Sequence, residues 1–203
     1  MGLGQTMLTA AFLVLVTIAA MNANKMIVDR DSVHYELDAY RNASQLAGAL
    51  LAEIMTKKFD EKADLEGSYQ DESDFTVNSK LGTDSRTTGS GRNRRTYYER
   101  TNVDVPDTFP YSSMSAGNDS YDDVDDYDGY VRHATSGVLS GFVLTVDVYY
   151  VTEGNLGKKV TTRKYYKRID VRVTNTTYFP KRDKDGDGVE EDVVLTYSTV
   201  KTY

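Results

Sequence analysis

The sequence contains no cysteine, and it has only two histidines and three prolines among its 203 residues. Without cysteine there are no disulfides, no thiolate zinc sites and no cysteine nucleophile. The histidines, His34 and His133, are far apart in the sequence, and no HExxH, GxSxG or glycine-rich phosphate-binding motif occurs. Carboxylate pairs are frequent, but none is marked out as an acid and a base. We therefore predict that the protein is not an enzyme.

The chain also has fewer basic residues than acidic ones, 24 Lys and Arg against 31 Asp and Glu. The net charge is −7, and charged residues make up 27% of the chain. An acidic balance argues against nucleic acid as a partner, because phosphate binding depends on Lys and Arg. Sixteen tyrosines and many threonines suit a β-rich domain with a hydroxyl-rich surface. The length allows one domain with an appendage, or two small domains.

The most apolar stretch lies at the start of the sequence. No charged residue and no proline occurs from Leu3 to Ala23, and about 20 such residues can cross a hydrocarbon core as a helix. A secretory signal peptide has a basic first region and a shorter apolar run. Here no Lys or Arg precedes the run and the helical pattern continues beyond it, so a signal peptide is disfavoured. A single-span membrane anchor remains an alternative.

Beyond Lys25 the apolar residues recur at three- and four-residue spacings, which predicts an amphipathic helix. The residues of this stripe are Val33, Leu37, Tyr40, Ala47, Leu50 and Ile54. We predict one helix from about Gln5 to Lys58, roughly 80 Å long at about 1.5 Å per residue. The predicted division of the chain is a helical region at 1–58, comprising an apolar stalk at 1–25 and an amphipathic collar at 26–58, and a β-rich head with long loops at 59–203.

Within the predicted head, the last third has the clearest strand patterns. Segments 141–151, 158–175 and 191–203 alternate between apolar and polar residues and are rich in β-forming residue types. Residues 60–140 are poor in periodic signal and are predicted to be mostly loop. An antiparallel sheet with one face covered by the helix gives an α+β fold.

An apolar helical stalk leading into a polar head resembles the type IV pilin superfamily. In that family a prepilin peptidase removes a short basic leader after a glycine, the new N-terminus is methylated, and a glutamate stands at the fifth mature position. If Met1 is the mature N-terminus, Gln5 takes the place of that glutamate; if cleavage follows Gly4, the place falls to Thr9. The resemblance assigns Met1 and Gln5 to filament assembly, with a glutamine that can hydrogen-bond but carries no charge.

Two further segments are similar to pilin-like proteins. The motif YDDVDDYDGY, from Tyr121 to Tyr130, resembles one found in pilins of the mannose-sensitive haemagglutinin type. The segments YKRIDVRVTN and DVVLTYSTV resemble the closing strands of minor pilins and pseudopilins. Together with the helix, these segments cover about half of the chain.

The resemblance implies a structural subunit of an extracellular type IV pilus-like filament on the cell surface. The subunit would form a homopolymer with copies of itself, after insertion in the inner membrane and contact with the membrane assembly machinery. The alternatives are a minor pilin, a secretion-system pseudopilin, and a single-span membrane-anchored calcium-binding adhesin.

The segment DKDGDGVEED, residues 183–192, is the most specific chemical signal. Alternating carboxylates followed by a glycine copy the start of a calcium loop, although the bidentate glutamate expected at the twelfth position is missing. An acidic Asp-Gly turn that hydrogen-bonds to itself is the alternative. The predicted calcium ligands are Asp183, Asp185, Asp187, the carbonyl of Val189, Glu191 and Asp192.

The second acidic cluster is expected to be a solvated surface run; the alternatives are a cation site and pairing with Arg92, Arg94 and Arg95. Its members are Asp122, Asp123, Asp125, Asp126 and Asp128. Asn42, Asn118 and Asn175 begin N-x-[ST] sequons. Because Asn42 lies in the predicted helix, we consider only Asn118 and Asn175 as candidates for glycosylation.

Overall fold

The computed structural model describes residues 2–61, 71–82, 121–183, 186 and 188–203, together with the backbone of the strand segments 85–88 and 95–98. The chain divides into two compact units, residues 1–41 and 42–203. The predicted α+β fold is confirmed, because a long N-terminal helix is followed by a four-stranded antiparallel sheet.

Helix α1 runs without a break from Leu3–Met55, over 53 residues. It is rich in Ala, Leu and Met, which have high helix propensity, and contains no proline. It ends three residues before the predicted Lys58. The last turn is tightened by the hydroxyl of Thr56, which donates to the Glu53 carbonyl at 2.7 Å, and the Lys201 ammonium donates to the Met55 carbonyl at 3.1 Å. These bonds satisfy carbonyls that the helix itself leaves free.

The two parts of α1 differ in burial. Within unit 42–203, Ala43, Ala47, Leu50 and Ile54 are fully buried at spacings of four, three and four residues. This is the amphipathic stripe that the sequence predicts. The earlier members of the predicted stripe lie in the other unit, where Val33 and Leu37 are exposed, at 53% and 59%, and Tyr40 is partly buried. The buried stripe is therefore shorter than the sequence pattern indicates.

The sheet of the second unit is an antiparallel meander of four strands in the order β3-β4-β5-β6. A separate antiparallel hairpin, β1-β2, lies earlier in the chain. The strand bounds are β1 Ser85–Thr88, β2 Arg95–Tyr98, β3 Val131–Ser136, β4 Leu139–Tyr150, β5 Tyr166–Thr174 and β6 Val194–Thr202.

Alternation along the central strands places one face of the sheet in the core. On β4 the buried positions are Phe142, Leu144, Val146, Val148 and Tyr150, and the residues between them are only partly buried. On β5 the buried positions are Lys167, Ile169, Val171 and Val173. The register pairs Val148 with Ile169, and Ile169 with Thr199 of β6. Burial of every second residue, all on one face, is expected for a half-buried sheet. A lysine among these buried positions is not expected.

Three strand predictions need correction. Strand β3 and hairpin β1-β2 lie in the stretch predicted to be loop, and β5 begins at Tyr166 and not near residue 158. Strand β3 carries Arg132 and His133 in place of large apolar residues, which weakens its periodic signal. It forms because the turn at Gly137, with a φ of +60°, folds it back onto β4.

Candidate functional site

The first surface of interest is the apolar stretch of α1 within residues 3–41. Every side chain in the consecutive segment 12–16 is exposed, so the helix is apolar on all of its sides there. The helix contains a stretch that is long and apolar enough to cross a membrane, and none of its most apolar window is buried. Soluble monomers rarely expose apolar surface on this scale. By its length and composition, this segment could be inserted in a membrane.

Polar groups on this apolar stretch are bonded to their own helix. The Thr9 hydroxyl donates to the carbonyl of Gln5 at 3.1 Å, and the Thr17 hydroxyl donates to the carbonyl of Leu13 at 2.8 Å. Hydroxyls bonded in this way enter apolar surroundings without leaving a donor unsatisfied. The Gln5 side chain is exposed, and Met1 lies outside the described residues. The assembly role assigned to these two residues stays a prediction.

The acidic motif 121–130 is a buried polar site. The expectation of a solvated surface run is wrong for Asp123, Asp125 and Asp126, which are buried; Asp122 is exposed and Asp128 is half-buried. The reason lies in the interleaved tyrosines. Their rings are fully buried and meet edge to face with centroids 4.9–5.8 Å apart. Burying three aromatic rings carries the intervening carboxylates into the interior. The tyrosines are Tyr121, Tyr127 and Tyr130.

The carboxylates of the motif are held by backbone donors. Asp126 Oδ2 accepts hydrogen bonds from the N–H groups of Asp122 and Asp123 at 3.0 and 3.2 Å. Asp123 Oδ1 accepts bonds from the N–H groups of Asp125 and Asp126 at 2.9 and 3.2 Å. Asp128 Oδ1 accepts a bond from a backbone N–H of β4 at 2.8 Å. Asp123 and Asp126 thus replace water for backbone N–H groups at and before the start of the 3₁₀ turn, and Asp128 does the same for β4.

Lys167 lies at the centre of this site. Its fully buried ammonium donates to the Phe59 carbonyl at 2.7 Å, to Asp60 Oδ2 at 3.1 Å and to Asp125 Oδ1 at 2.6 Å, which uses all three of its donors. It also lies 4.6 Å from the ring centroid of Phe59 and 5.4 Å from that of Tyr150. A buried ammonium is tolerated only with compensation of this kind. The contacts join β5, the acidic motif and the segment after α1.

Asp60 is fully buried and is bonded through one oxygen. Its Oδ2 accepts the Lys167 ammonium and the backbone N–H of Thr76, the latter at 2.8 Å. Among the residues that the structure describes, its Oδ1 has no hydrogen-bond partner. Tyr150 fixes the same loop by donating its hydroxyl to the Thr76 carbonyl at 2.8 Å. Oδ2 of Asp60 therefore accepts hydrogen bonds from two donors, whereas Oδ1 accepts none from the described residues.

The buried Asp123 carries a proton at neutral pH. Burial, together with the neighbouring carboxylates of Asp125 and Asp126, raises the pKa of the Asp123 carboxyl to about 10, and the Lys167 ammonium opposes this only in part. A hydrogen bond between the side chains of Asp123 and Asp125 contributes to the shift. The proton on Asp123 lowers the charge that must be buried.

A second polar contact ties the end of α1 to the same motif. The guanidinium of Arg132, on β3, donates to both carboxylate oxygens of Glu53 at 2.9 and 3.0 Å, and the Tyr127 hydroxyl donates to Glu53 Oε1 at 2.9 Å. Burial by itself would raise the pKa of Glu53, but the hydrogen bonds from Arg132 and Tyr127 outweigh burial and hold that pKa below its ordinary value. Arg132 also donates through Nε to the Tyr130 hydroxyl at 3.0 Å. Such bidentate pairs fix orientation as well as charge.

Sequence reasoning missed Lys167, Asp60, Glu53 and Arg132. A signal for Lys167 was present, because it falls in phase with the apolar positions of β5, and a lysine in that phase must point into the core. The arginines predicted to pair with the acidic cluster lie outside the described residues, except for the backbone of Arg95. In the described part of the chain, the ammonium that pairs with the buried carboxylates belongs to Lys167.

The Asp-Gly loop is the other acidic segment. Asp183 accepts the N–H groups of Gly186 and Gly188, at 2.6 Å through Oδ1 and at 3.0 Å through Oδ2. Arg182 and Glu191 close the loop with two backbone hydrogen bonds of 2.9 Å each. Asp185 and Asp187 lie outside the described residues, while Val189, Glu191 and Asp192 lie on the exposed side of the loop. Calcium binding here stays a prediction.

The sequons and histidines give no further site. Asn175 is buried, donates to the Ser140 carbonyl at 2.9 Å and accepts hydrogen bonds from two backbone N–H groups. Its side chain is therefore not accessible to a sugar, and this candidate for glycosylation is wrong. Asn118 lies outside the described residues. His34 and His133 are both exposed.

Chemically, the described part of the chain offers a buried lysine–aspartate network and an exposed apolar helix. Within the described ranges no group of three or more His, Asp or Glu side chains is arranged to hold a metal ion. The buried network joins secondary-structure elements, and the apolar helix presents a surface. No family model matches the chain, and neither a curated protein nor a solved structure matches it.

Proposed function

We propose that this chain is a structural subunit of an extracellular type IV pilus-like filament, in which the apolar parts of α1 pack against one another. The observation that carries the proposal is the unbroken helix Leu3–Met55, whose first part exposes apolar side chains on every side. Lipid satisfies such a surface before assembly, and neighbouring helices satisfy it in a filament. In both settings helix association depends on packing and hydrogen bonds.

The contacts at the end of α1 support the same proposal. A filament subunit must pass mechanical load from its folded domain to the helix that holds it. Glu53 bonded to Arg132 and Tyr127, and the Lys201 ammonium bonded to the Met55 carbonyl, attach the end of the helix to both outer strands of the sheet and to the acidic motif. Removing one partner of a partly buried ion pair is costly, which suits an attachment of this kind.

Two other proposals use the same helix. A minor pilin or pseudopilin would enter filaments built mainly of another subunit. A single-span membrane-anchored calcium-binding adhesin would keep α1 in the bilayer permanently. Neither alternative is favoured by a particular contact in the described residues, so the filament subunit is the one tested first.

The test compares Val14→Lys with Val138→Lys in cells that carry the chain's own assembly machinery. Val14 lies in the apolar stretch of α1, and Val138 lies in the β3–β4 turn, where it is 88% exposed. A lysine in the apolar core costs about 2.5–3.5 kcal/mol on insertion scales, so Val14→Lys should abolish filaments that are sheared from the cells and seen by electron microscopy. Val138→Lys should leave them unchanged.

Three outcomes separate the candidates. Sheared fibres composed mainly of this chain support the proposal. Fibres in which this chain is a trace component overturn it in favour of a minor pilin. Parent protein that stays wholly in the membrane fraction after shearing overturns it in favour of an anchored protein.

A further inference from the structure

Lys167 and its two carboxylate partners provide the groups that amide formation needs, in addition to those of a salt bridge. We propose that Lys167 and Asp60 form an intramolecular isopeptide bond, with Asp125 as the group that carries protons between them. This modification would join β5 covalently to the segment that follows α1. It does not depend on whether the chain forms filaments.

The geometry supplies a nucleophile, an electrophile and a proton carrier in one dry site. The Lys167 ammonium and the Asp60 side chain are fully buried, and their N–O distance is 3.1 Å. Asp125 Oδ1 lies 2.6 Å from the same nitrogen, and its side chain is 6% exposed. The rings of Phe59 and Tyr150 lie close to the nitrogen and contribute to its exclusion from water. Fixed groups at these distances correspond to very high effective concentrations.

The two oxygens of Asp60 differ as amide formation requires. Oδ2 is held by the Thr76 N–H, which is placed to stabilise negative charge on that oxygen when Cγ is attacked. Oδ1 has no hydrogen-bond partner among the described residues, so it is the oxygen placed to leave.

The step balances without any other reactant. Asp125 takes a proton from the ammonium and passes it to Oδ1 of Asp60, so that a neutral amine faces a neutral carboxylic acid. The nitrogen lone pair attacks Cγ and the Nζ–Cγ bond forms. Asp125 then moves a second proton from nitrogen to Oδ1, the Cγ–Oδ1 bond breaks, and water leaves. Two of the three ammonium hydrogens depart with one oxygen, and no oxidation occurs. A buried ion pair, which is costly to desolvate, becomes a neutral amide.

Mass spectrometry of tryptic peptides from the full chain tests the proposal directly. We expect the peptide FDEK (59–62) joined to YYKR (165–168), with a combined mass one water molecule below the sum of the two, and trypsin blocked at Lys167. This readout is independent of any processing at the N-terminus. Free FDEK together with cleavage after Lys167, in protein purified in its folded state, would overturn the proposal.

Variants separate the bond from the ion pair. Asp125→Asn removes the proton carrier and leaves both bonding residues in place, so the joined peptide should be lost or fall at least tenfold. Lys164→Met removes a partly exposed lysine that pairs with Glu72 at 2.7 Å. It also removes the trypsin site before Tyr165, so FDEK should be found joined to MYYKR (164–168), in the same amount as the joined peptide of the parent. Asp125→Asn protein with undiminished joined peptide would refute the role of Asp125. The parent measurement decides on the bond even if a variant fails to fold.

Discussion

The chain contains two acidic segments of similar composition that have opposite surroundings. Residues 121–130 place three carboxylates in the interior, whereas residues 183–192 form an exposed loop as far as they are described. The difference lies in the residues between the aspartates. In the first segment these include tyrosines whose rings are fully buried. In the second they are one lysine, glycines, glutamates and Val189, which is exposed. The spacing of apolar residues, and not the number of charges, decides which segment is buried.

Burial changes what the aspartates do. In the first segment each buried carboxylate binds a backbone N–H, Lys167 or another carboxyl, and one of them carries a proton. In the second segment Asp183 binds the backbone of its own turn. The first segment therefore supports the whole second unit, and the second segment supports one loop. This comparison predicts stability effects of decreasing size.

The largest effect is expected from Lys167→Met. The substitution leaves Asp60 and Asp125 buried without their cation, and breaking a buried ion pair in this way costs about 3–5 kcal/mol, to which the loss of the proposed amide would add. The free energy of unfolding should fall by that amount, measured by denaturant unfolding of the full chain in mild detergent and followed by the near-ultraviolet circular dichroism of the buried tyrosines.

Lys164→Met is the matched control for this prediction. Lys164 and Glu72 form an ion pair of similar length, but about a third of each side chain is exposed. Exposed pairs contribute about 0–1 kcal/mol. Equal losses in the two variants would contradict the view that burial makes the difference.

A smaller effect is expected from Asp123→Asn, and it depends on pH. The pKa of Asp123 is about 10 in the folded state and about 3.9 in an unfolded chain. Between these values the folded state binds more protons, so this group makes the free energy of unfolding fall as pH rises. Asparagine keeps an acceptor and a donor but does not titrate. The variant should lie within about 1 kcal/mol of the parent near pH 6, and its free energy of unfolding should rise relative to the parent by up to about 1.4 kcal/mol for each pH unit above that.

The exposed Asp122 provides the comparison for the pH experiment. Asp122→Asn should keep the slope of the parent between pH 5 and pH 9. Glu53 has a lowered pKa, so its contribution is lost only in acid, as pH falls below its ordinary value of about 4.3. Burial also raises the pKa of Asp128 and lowers the pKa of Lys201, so Asp123 is isolated by the difference between the curves of the parent and of Asp123→Asn. Parallel curves for the parent and Asp123→Asn would contradict the protonated state of this carboxyl.

The fold could be predicted from the sequence where one local pattern dominates. The helix and strands β4 and β6 carry strong periodicity, and each was placed within a few residues. Strand β3 was missed because its own residues carry a weak periodic signal. It forms because β4 lies beside it to pair with. Val33 and Leu37 were predicted to lie on the apolar stripe but are exposed. Helical spacing alone does not specify what covers an apolar face.

The buried site was harder to predict, because its partners are far apart in the sequence. Lys167 meets Asp125 across 42 positions and Asp60 across 107. From the sequence alone, a run of aspartates predicts a solvated surface. The position of the cation that pairs with them is known only from the tertiary fold. The alternation of β5 offered the one local clue, because it turned Lys167 inwards.

The smallest effect is expected from calcium at the Asp-Gly loop. If Asp183 and its neighbours bind the ion, calcium at ten times its Kd should stabilise the loop and the unit around it by about 1.4 kcal/mol, measured as a shift of the unfolding midpoint relative to a chelator. Asp183→Asn should lose this shift, because it removes a ligand and also a turn acceptor. Asp122→Asn, in the other acidic segment, should keep it. A midpoint that does not move with calcium in the parent would mean that the loop is a turn held by its own backbone bonds, which leaves the buried segment as the one acidic site of consequence in the described chain.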